Sequence, residues 1–108
     1  MINAEVKGKE MKEKNAETVL HKIAGMRREL TDRFTVIRIG VFGSCARGDE
    51  GPDSDVDIIV ELAEPTFDHY MDLKFRLEEI LGRPVDLVIA DTVKPRIKPI
   101  IEHEVVYA

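Results

Sequence analysis

Two short apolar segments of this sequence each carry an aspartate in their interior, and they constrain the fold more than any other feature. One covers residues 56–61 (VDIIVE) and the other covers residues 85–89 (VDLVI). Side chains alternate between the faces of a strand, so every second residue shares a face and Asp57 or Asp86 lies on the other. The residues that share the apolar face are Val56, Ile58 and Val60 in the first segment and Val85, Leu87 and Ile89 in the second. Burying an unpaired carboxylate is costly. These segments therefore predict a sheet with helices on one face and an open, acidic face opposite.

The first part of the chain predicts one helix followed by one strand. Apolar residues spaced three and four apart indicate a helix that begins at an N-cap, Asn15, and ends near Asp32. A run rich in β-branched residues then predicts a strand over residues 34–42. That strand runs directly into Gly43 and Ser44.

The second part alternates in the same way. A helix is predicted over residues 67–81, with Phe67 on its apolar face and Gly82 directly after its end. A shorter helix over residues 94–104 and an edge strand over 105–107 follow the strand at 85–89. The whole pattern predicts an α/β (α+β) chain with a mixed β-sheet.

Length and charge distribution favour one folded domain. The 108 residues suffice for a single modest core. Residues 1–14 alternate charged and small side chains and predict a solvated N-terminal arm, so the domain is expected to cover residues 15–108. No apolar run approaches the roughly 18 residues of a membrane span, and no signal-peptide core is present. We therefore expect a cytoplasmic protein that does not bind membranes.

Composition excludes several kinds of site. A net charge of −5 argues against direct nucleic-acid binding, which relies on an excess of Lys and Arg. The single cysteine, Cys45, allows neither an internal disulfide nor a CxxC zinc site. No GxxxxGK[ST] motif is present, which excludes a P-loop NTPase. An acidic protein can nevertheless act on a nucleotide when a cation neutralises its carboxylates near the phosphates.

The turn after the first strand has the composition of a phosphate-binding turn. Gly43 lets the backbone approach a ligand closely, and exposed N–H groups at the start of a helical turn attract phosphate oxygens. The Ser44 hydroxyl supplies a further donor. Arg47, about one helical turn beyond Gly43, either faces the phosphates or pairs with a carboxylate. For Asp53 in the loop that follows, a turn-capping role is favoured over metal binding.

The aspartates of the later strands form the second half of this motif. Asp55 and Asp57 are two residues apart, so they point to the same side at roughly 6–7 Å. Two carboxylates placed in this way can share one Mg²⁺ with triphosphate oxygens and water. Asp86 is the natural third carboxylate, which would hold a second metal ion or take the proton of an attacking hydroxyl. The expected cofactor is therefore one or two Mg²⁺ ions, with the nucleotide as substrate.

The combined motif resembles the DNA polymerase β-like nucleotidyltransferase superfamily, and within it the minimal nucleotidyltransferases. The resemblance rests on an apolar strand that leads into Gly43-Ser44, a loop of about ten residues, Asp55-Val56-Asp57, and Asp86 on a later strand. It implies the polymerase β-like fold, with Gly43 and Ser44 at the phosphates of ATP and the three aspartates at the metals.

The same resemblance implies an activity and a partner. Members of this family pair with all-helical HEPN proteins in toxin–antitoxin systems, and they transfer AMP from ATP to a tyrosine of the toxin. This chain is therefore expected to be a protein adenylyltransferase and an antitoxin. The alternative is a non-catalytic antitoxin that masks its partner by complex formation, with a vestigial metal site. Nucleotide transfer to a small molecule is less favoured, because the relatives that perform it usually carry an extra helical domain.

Overall fold

A computed structural model describes residues 14–43, 46 and 55–108 of the chain. After a π-helical turn at Lys14–Thr18, the elements follow in the order α1 (Val19–Gly25), α2 (Arg27–Phe34), β1 (Val36–Phe42), β2 (Val56–Leu62), α3 (Phe67–Leu81), β3 (Val85–Ile89), α4 (Lys98–Glu104) and β4 (Val106–Tyr107). A 3₁₀ turn at Ala90–Thr92 follows β3. Among the helices of this described part, none is long and apolar enough to cross a membrane.

The four strands form one mixed sheet in the order β3-β2-β1-β4. β1 pairs antiparallel with both β2 and β4, whereas β2 and β3 run parallel. Helix α3 makes the connection between the two parallel strands, which cannot be joined by a tight turn. The predicted fold class, a mixed sheet with helices in an α/β (α+β) chain, is confirmed.

The main core lies between one face of this sheet and helices α1, α2 and α3. Val56, Ile58 and Val60 of β2 are at most 1% exposed, which confirms the predicted apolar side of that strand. Their helical partners are listed together: Val19, Ile23, Leu30, Phe34, Leu73, Leu77 and Leu81. Burial of this apolar surface drives folding, since each fully buried aliphatic side chain contributes about 1.5–3 kcal/mol.

Helix α3 also protects the outer edge of β3. The Glu78 carboxylate accepts a hydrogen bond from the Val85 N–H at 2.9 Å, and the Tyr70 hydroxyl donates to the Leu87 carbonyl at 2.6 Å. An uncovered edge strand offers its backbone groups to other chains. The two side chains therefore satisfy β3 groups that β2 does not pair.

A smaller apolar contact lies on the opposite face of the sheet. Ile59 of β2 and Ile101 of α4 are both buried, yet neither belongs to the main core. They line one cavity together with Arg38 and Tyr107. Helix α4 therefore covers the middle of this face. At the end of the sheet where β2 and β3 begin, Asp55 and Asp86 remain exposed.

Several predicted boundaries are corrected by the structure. Asn15 lies inside the π-helical turn rather than at an N-cap, and the helix is interrupted at Met26 before it continues to Phe34. Phe67 is 75% exposed, because it stands at the first position of α3, beyond the sheet surface that Leu73 and Leu77 cover. The last helix begins at Lys98 rather than at residue 94. Of the predicted N-terminal arm, residues 1–13 lie outside the described residues.

Candidate active site

The strand register brings two of the predicted site residues side by side. In the parallel pair of β2 and β3, Asp57 is directly opposite Asp86. Adjacent strands lie about 4.8 Å apart, so the two side chains are neighbours on the same face. Asp55 immediately precedes β2 and is exposed. The three predicted carboxylates are thus all carried by the starting ends of β2 and β3.

Gly43 lies at the same end of the sheet, because β1 runs antiparallel to β2 and Phe42 is opposite Asp57. Its φ of +71° is a left-handed conformation that favours glycine. A Cβ at this position would overlap the carboxylate of Asp57. Both the turn and the close approach to Asp57 therefore require glycine here.

A further carboxylate meets this turn from the end of α4. The Gly43 N–H donates a hydrogen bond to Oε1 of Glu104 at 3.1 Å, across 61 positions of sequence. Sequence reasoning missed Glu104 as a site residue. The predicted edge strand at 105–107 did not indicate which strand it pairs with, and only its pairing with β1 shows which end of the sheet Glu104 reaches.

The remaining predicted phosphate-binding residues, Ser44 and Arg47, lie outside the described residues, as do Cys45 and Asp53. The roles assigned to Ser44 and Arg47 stay predictions. Ala46, between them in sequence, packs against the main core.

The donors at this end of the sheet suit a hard cation in their chemistry. Asp55, Asp57 and Asp86 offer only oxygen ligands, which Mg²⁺ prefers. Within residues 14–43, 46 and 55–108, no three His, Cys, Asp or Glu side chains are gathered closely enough to hold a metal ion. Mg²⁺ is usually bound through one or two carboxylates, with substrate phosphates and water completing its six positions. The residues present therefore fit an ion that binds together with a nucleotide.

Comparison with known protein families yields one clear match. The family described as the nucleotidyltransferase domain matches residues 23–108 of this chain. A relative from Thermococcus cleftensis, protein adenylyltransferase MntA, is 45% identical over 82 residues, which cover 75% of this chain and 83% of the relative.

Solved structures share the fold. One assigned to a minimal nucleotidyltransferase has a TM-score of 0.67 and 34% identity, and the match covers 81% of this chain and 93% of that chain. A chain from the complex of a tri-AMPylated Shewanella oneidensis HEPN toxin with its MNT antitoxin has a TM-score of 0.62 and 21% identity. That match covers 84% of this chain and 69% of the other, and it bears on the fold alone.

Proposed function

This chain belongs to the nucleotidyltransferase family, and from that premise we propose that it transfers AMP from ATP to a protein hydroxyl, acting as an antitoxin. The observation that carries the proposal is the pairing of Asp57 with Asp86 beside Gly43, on a chain 45% identical to a relative named as a protein adenylyltransferase. The proposed acceptor is a tyrosine of a HEPN-type helical toxin.

The described site and the similar relatives support a protein acceptor. The described residues supply the carboxylates and the glycine turn at one end of the sheet, and these form one wall of a cleft. A protein acceptor agrees with the name of the similar relative, protein adenylyltransferase MntA, and a second polypeptide is expected to complete the site. In the structurally similar complex, the toxin that carries AMP groups is of the HEPN class.

Each site residue has a proposed role in the transfer. Gly43 lets the backbone of the turn approach the phosphates of ATP closely, the Ser44 hydroxyl donates to them, and Asp55 and Asp57 would hold Mg²⁺. When bound, Mg²⁺ neutralises phosphate charge and helps to orient the triphosphate. The acceptor oxygen forms a bond to the α-phosphorus, the bond from that phosphorus to the bridging oxygen breaks, and pyrophosphate leaves. Asp86 takes the proton of the attacking hydroxyl. Arg47 either contacts the phosphates or pairs with a carboxylate.

The direct test measures the mass of a purified HEPN-type partner after incubation with this protein, ATP and Mg²⁺. The expected result is a gain in units of one AMP that disappears with EDTA or with the double variant Asp55→Ala/Asp57→Ala. A matched control is Asp68→Ala/Asp72→Ala, which removes two exposed carboxylates from α3 and should retain full transfer. The opposite outcome is that Asp55→Ala/Asp57→Ala silences the partner as well as the wild type does, and no sample gains mass. That result would establish the non-catalytic binding module instead.

A further inference from the structure

The contact between Gly43 and Glu104 joins the predicted phosphate turn to the last helix of the chain. The Glu104 carboxylate accepts the Gly43 N–H at 3.1 Å and is partly buried. Gly43 in turn lies against the Asp57 carboxylate, where a Cβ would not fit. One side of this glycine thus faces a predicted metal ligand, and its amide is held by a residue that the sequence motif does not include.

The position of Glu104 is set by the sheet. β4 pairs antiparallel with β1, with Val41 opposite Val106 and Gly40 opposite Tyr107. Continuing this register by two residues brings Glu104 opposite Gly43. At that point the ladder of backbone hydrogen bonds ends, and the Glu104 side chain accepts the N–H of Gly43, the residue that follows β1.

The segment that carries Glu104 is anchored on both sides. Before it, Ile101 is buried against the second face of the sheet. After it, Val105 and Tyr107 pack so closely around Gly40 that a Cβ there would lie 2.7 and 2.8 Å from their side chains. The Ala108 N–H also donates to the Ile39 carbonyl at 2.9 Å. These anchors favour a clamp, meaning a contact between Glu104 and Gly43 that persists when the nucleotide binds. They disfavour a plug, meaning a side chain that occupies the site and leaves when the nucleotide binds.

We propose that Glu104 is a positioning residue for the nucleotide: its carboxylate fixes the Gly43 amide and thereby the entry of the phosphate-binding turn. The proposal rests on the proposed function, because the turn is taken to bind ATP. The Gly43 N–H is a neutral donor, so the contact requires of Glu104 no full charge, only an acceptor atom at the correct reach. Its loss would loosen the turn equally in the ground state and the transition state, which raises KM and leaves kcat unchanged.

Two substitutions distinguish the contribution of the length of the Glu104 side chain from that of its negative charge. Glu104→Asp keeps the charge but shortens the side chain by one methylene, so its carboxylate no longer reaches Gly43. Glu104→Gln keeps the length and an acceptor oxygen but removes the charge. Glu102→Gln, two residues earlier on the exposed side of α4, is the matched control for the change in charge.

Steady-state AMP transfer is measured for all four proteins. Glu104→Asp should raise KM for ATP about tenfold with kcat within twofold, as expected for one lost hydrogen bond to a charged group. For Glu104→Gln, KM for ATP and kcat should both stay within about threefold of the wild-type values. For Glu102→Gln, both should equal the wild-type values. A loss of stability alone would lower the active fraction and so kcat, while KM would stay constant.

The reverse order, with Glu104→Asp active and Glu104→Gln impaired, would show that charge matters and overturn the proposal. Tighter ATP binding by either Glu104 variant would overturn it as well, in favour of a displaceable plug.

Amide hydrogen exchange at Gly43, measured by NMR without nucleotide, gives a readout that does not depend on activity. The Gly43 N–H should be protected in the wild type and in Glu104→Gln, and should exchange about tenfold faster in Glu104→Asp. Equal exchange in all the proteins would refute the clamp whether or not the protein transfers AMP. Conversely, if the wild type transfers no AMP while this exchange pattern holds, the proposed function fails and the contact itself stands.

Discussion

The two faces of the sheet are built from the same strands but differ in chemistry. On the face covered by α1, α2 and α3, β2 presents Val56, Ile58 and Val60, all at most 1% exposed. On the other face the same strand presents Asp57, beside Asp86 of β3. The period of two along a strand is enough to separate a buried apolar surface from an acidic one. Neighbouring residues can therefore serve stability and activity almost independently.

The two faces also differ in how they are held. On the covered side, Arg76 of α3 donates from Nε and a terminal nitrogen to both carboxylate oxygens of Glu29 in α2, at 2.9 and 3.2 Å. This hydrogen-bonded pairing lowers the pKa of the Glu29 carboxyl group. On the other side, α4 contributes one buried side chain, Ile101. The end of the sheet that carries Asp55, Asp57 and Asp86 thus rests on the less extensively packed face.

The largest expected effect tests whether the acidic face serves activity alone. Asp57→Asn should lower AMP transfer at least about a thousandfold, or about 4 kcal/mol in activation free energy, because a proposed metal ligand is lost. The free energy of unfolding without metal should stay equal or rise slightly, since one of several neighbouring negative charges is removed. Transfer assays and urea denaturation on the same samples measure both quantities. Wild-type transfer in this variant would show that Asp57 is not a ligand, and a large loss of stability would show that the two faces are not independent.

The next prediction compares adjacent isoleucines on opposite faces. Ile58→Ala should lower the free energy of unfolding by about 2–5 kcal/mol, because this fully buried side chain leaves a cavity in the main core. Ile59→Ala should lower it less, because Ile59 packs outside that core, on the face where α4 rests. Urea denaturation of both variants measures the two losses in free energy of unfolding. Equal losses would mean that the second face contributes as much stability as the first.

Much of this division was readable from the sequence. The strand at 85–89 and the helix at 67–81 occur at the predicted residues. Gly82 directly follows the helix, as predicted, and has a left-handed conformation. Alternation within residues 56–61 correctly separated Asp57 from the buried valines. These features are local, so period and turn chemistry determine them.

What the sequence could not provide depends on pairing between distant segments. Nothing in residues 98–107 indicates that β4 lies beside β1, so the contact of Glu104 with Gly43 had no local signal. The break at Met26 and the exposure of Phe67 likewise depend on where each helix meets the sheet. Register is a tertiary property, and a residue that acts across it is not marked by a motif.

A smaller effect is expected at the glycine where the acidic face meets the turn. Gly43→Ala should lower the free energy of unfolding by about 2–3 kcal/mol, from the strain of a positive φ and from the overlap with Asp57. The matched control is Gly82→Ala, which has a similar φ of +69° but no atom within 4 Å of the added methyl group. Its expected cost is about 1 kcal/mol, from strain alone. Thermal denaturation gives the difference, and AMP transfer should fall only in Gly43→Ala, because Asp57 must move. Equal costs, with transfer retained, would show that the approach of Gly43 to Asp57 has no functional role.

The smallest effect concerns pH and the edge of the covered face. The hydrogen bond from the Val85 N–H, with a lesser contribution from Lys74, holds the pKa of the Glu78 carboxyl group below its ordinary value of 4.5. Because the folded state has the lower pKa, the stabilisation is complete above about pH 4.5 and is lost as pH falls further through the folded value. Glu78→Gln should therefore cost about 1 kcal/mol or less at pH 7, and the difference from the wild type should shrink between pH 5 and pH 3. Asp72→Asn, an exposed change on the same helix, should show no such pH-dependent difference. Urea denaturation at each pH measures the three proteins. If the difference in free energy of unfolding between the wild type and Glu78→Gln stays constant down to pH 3, the Glu78 charge does not stabilise the β3 edge.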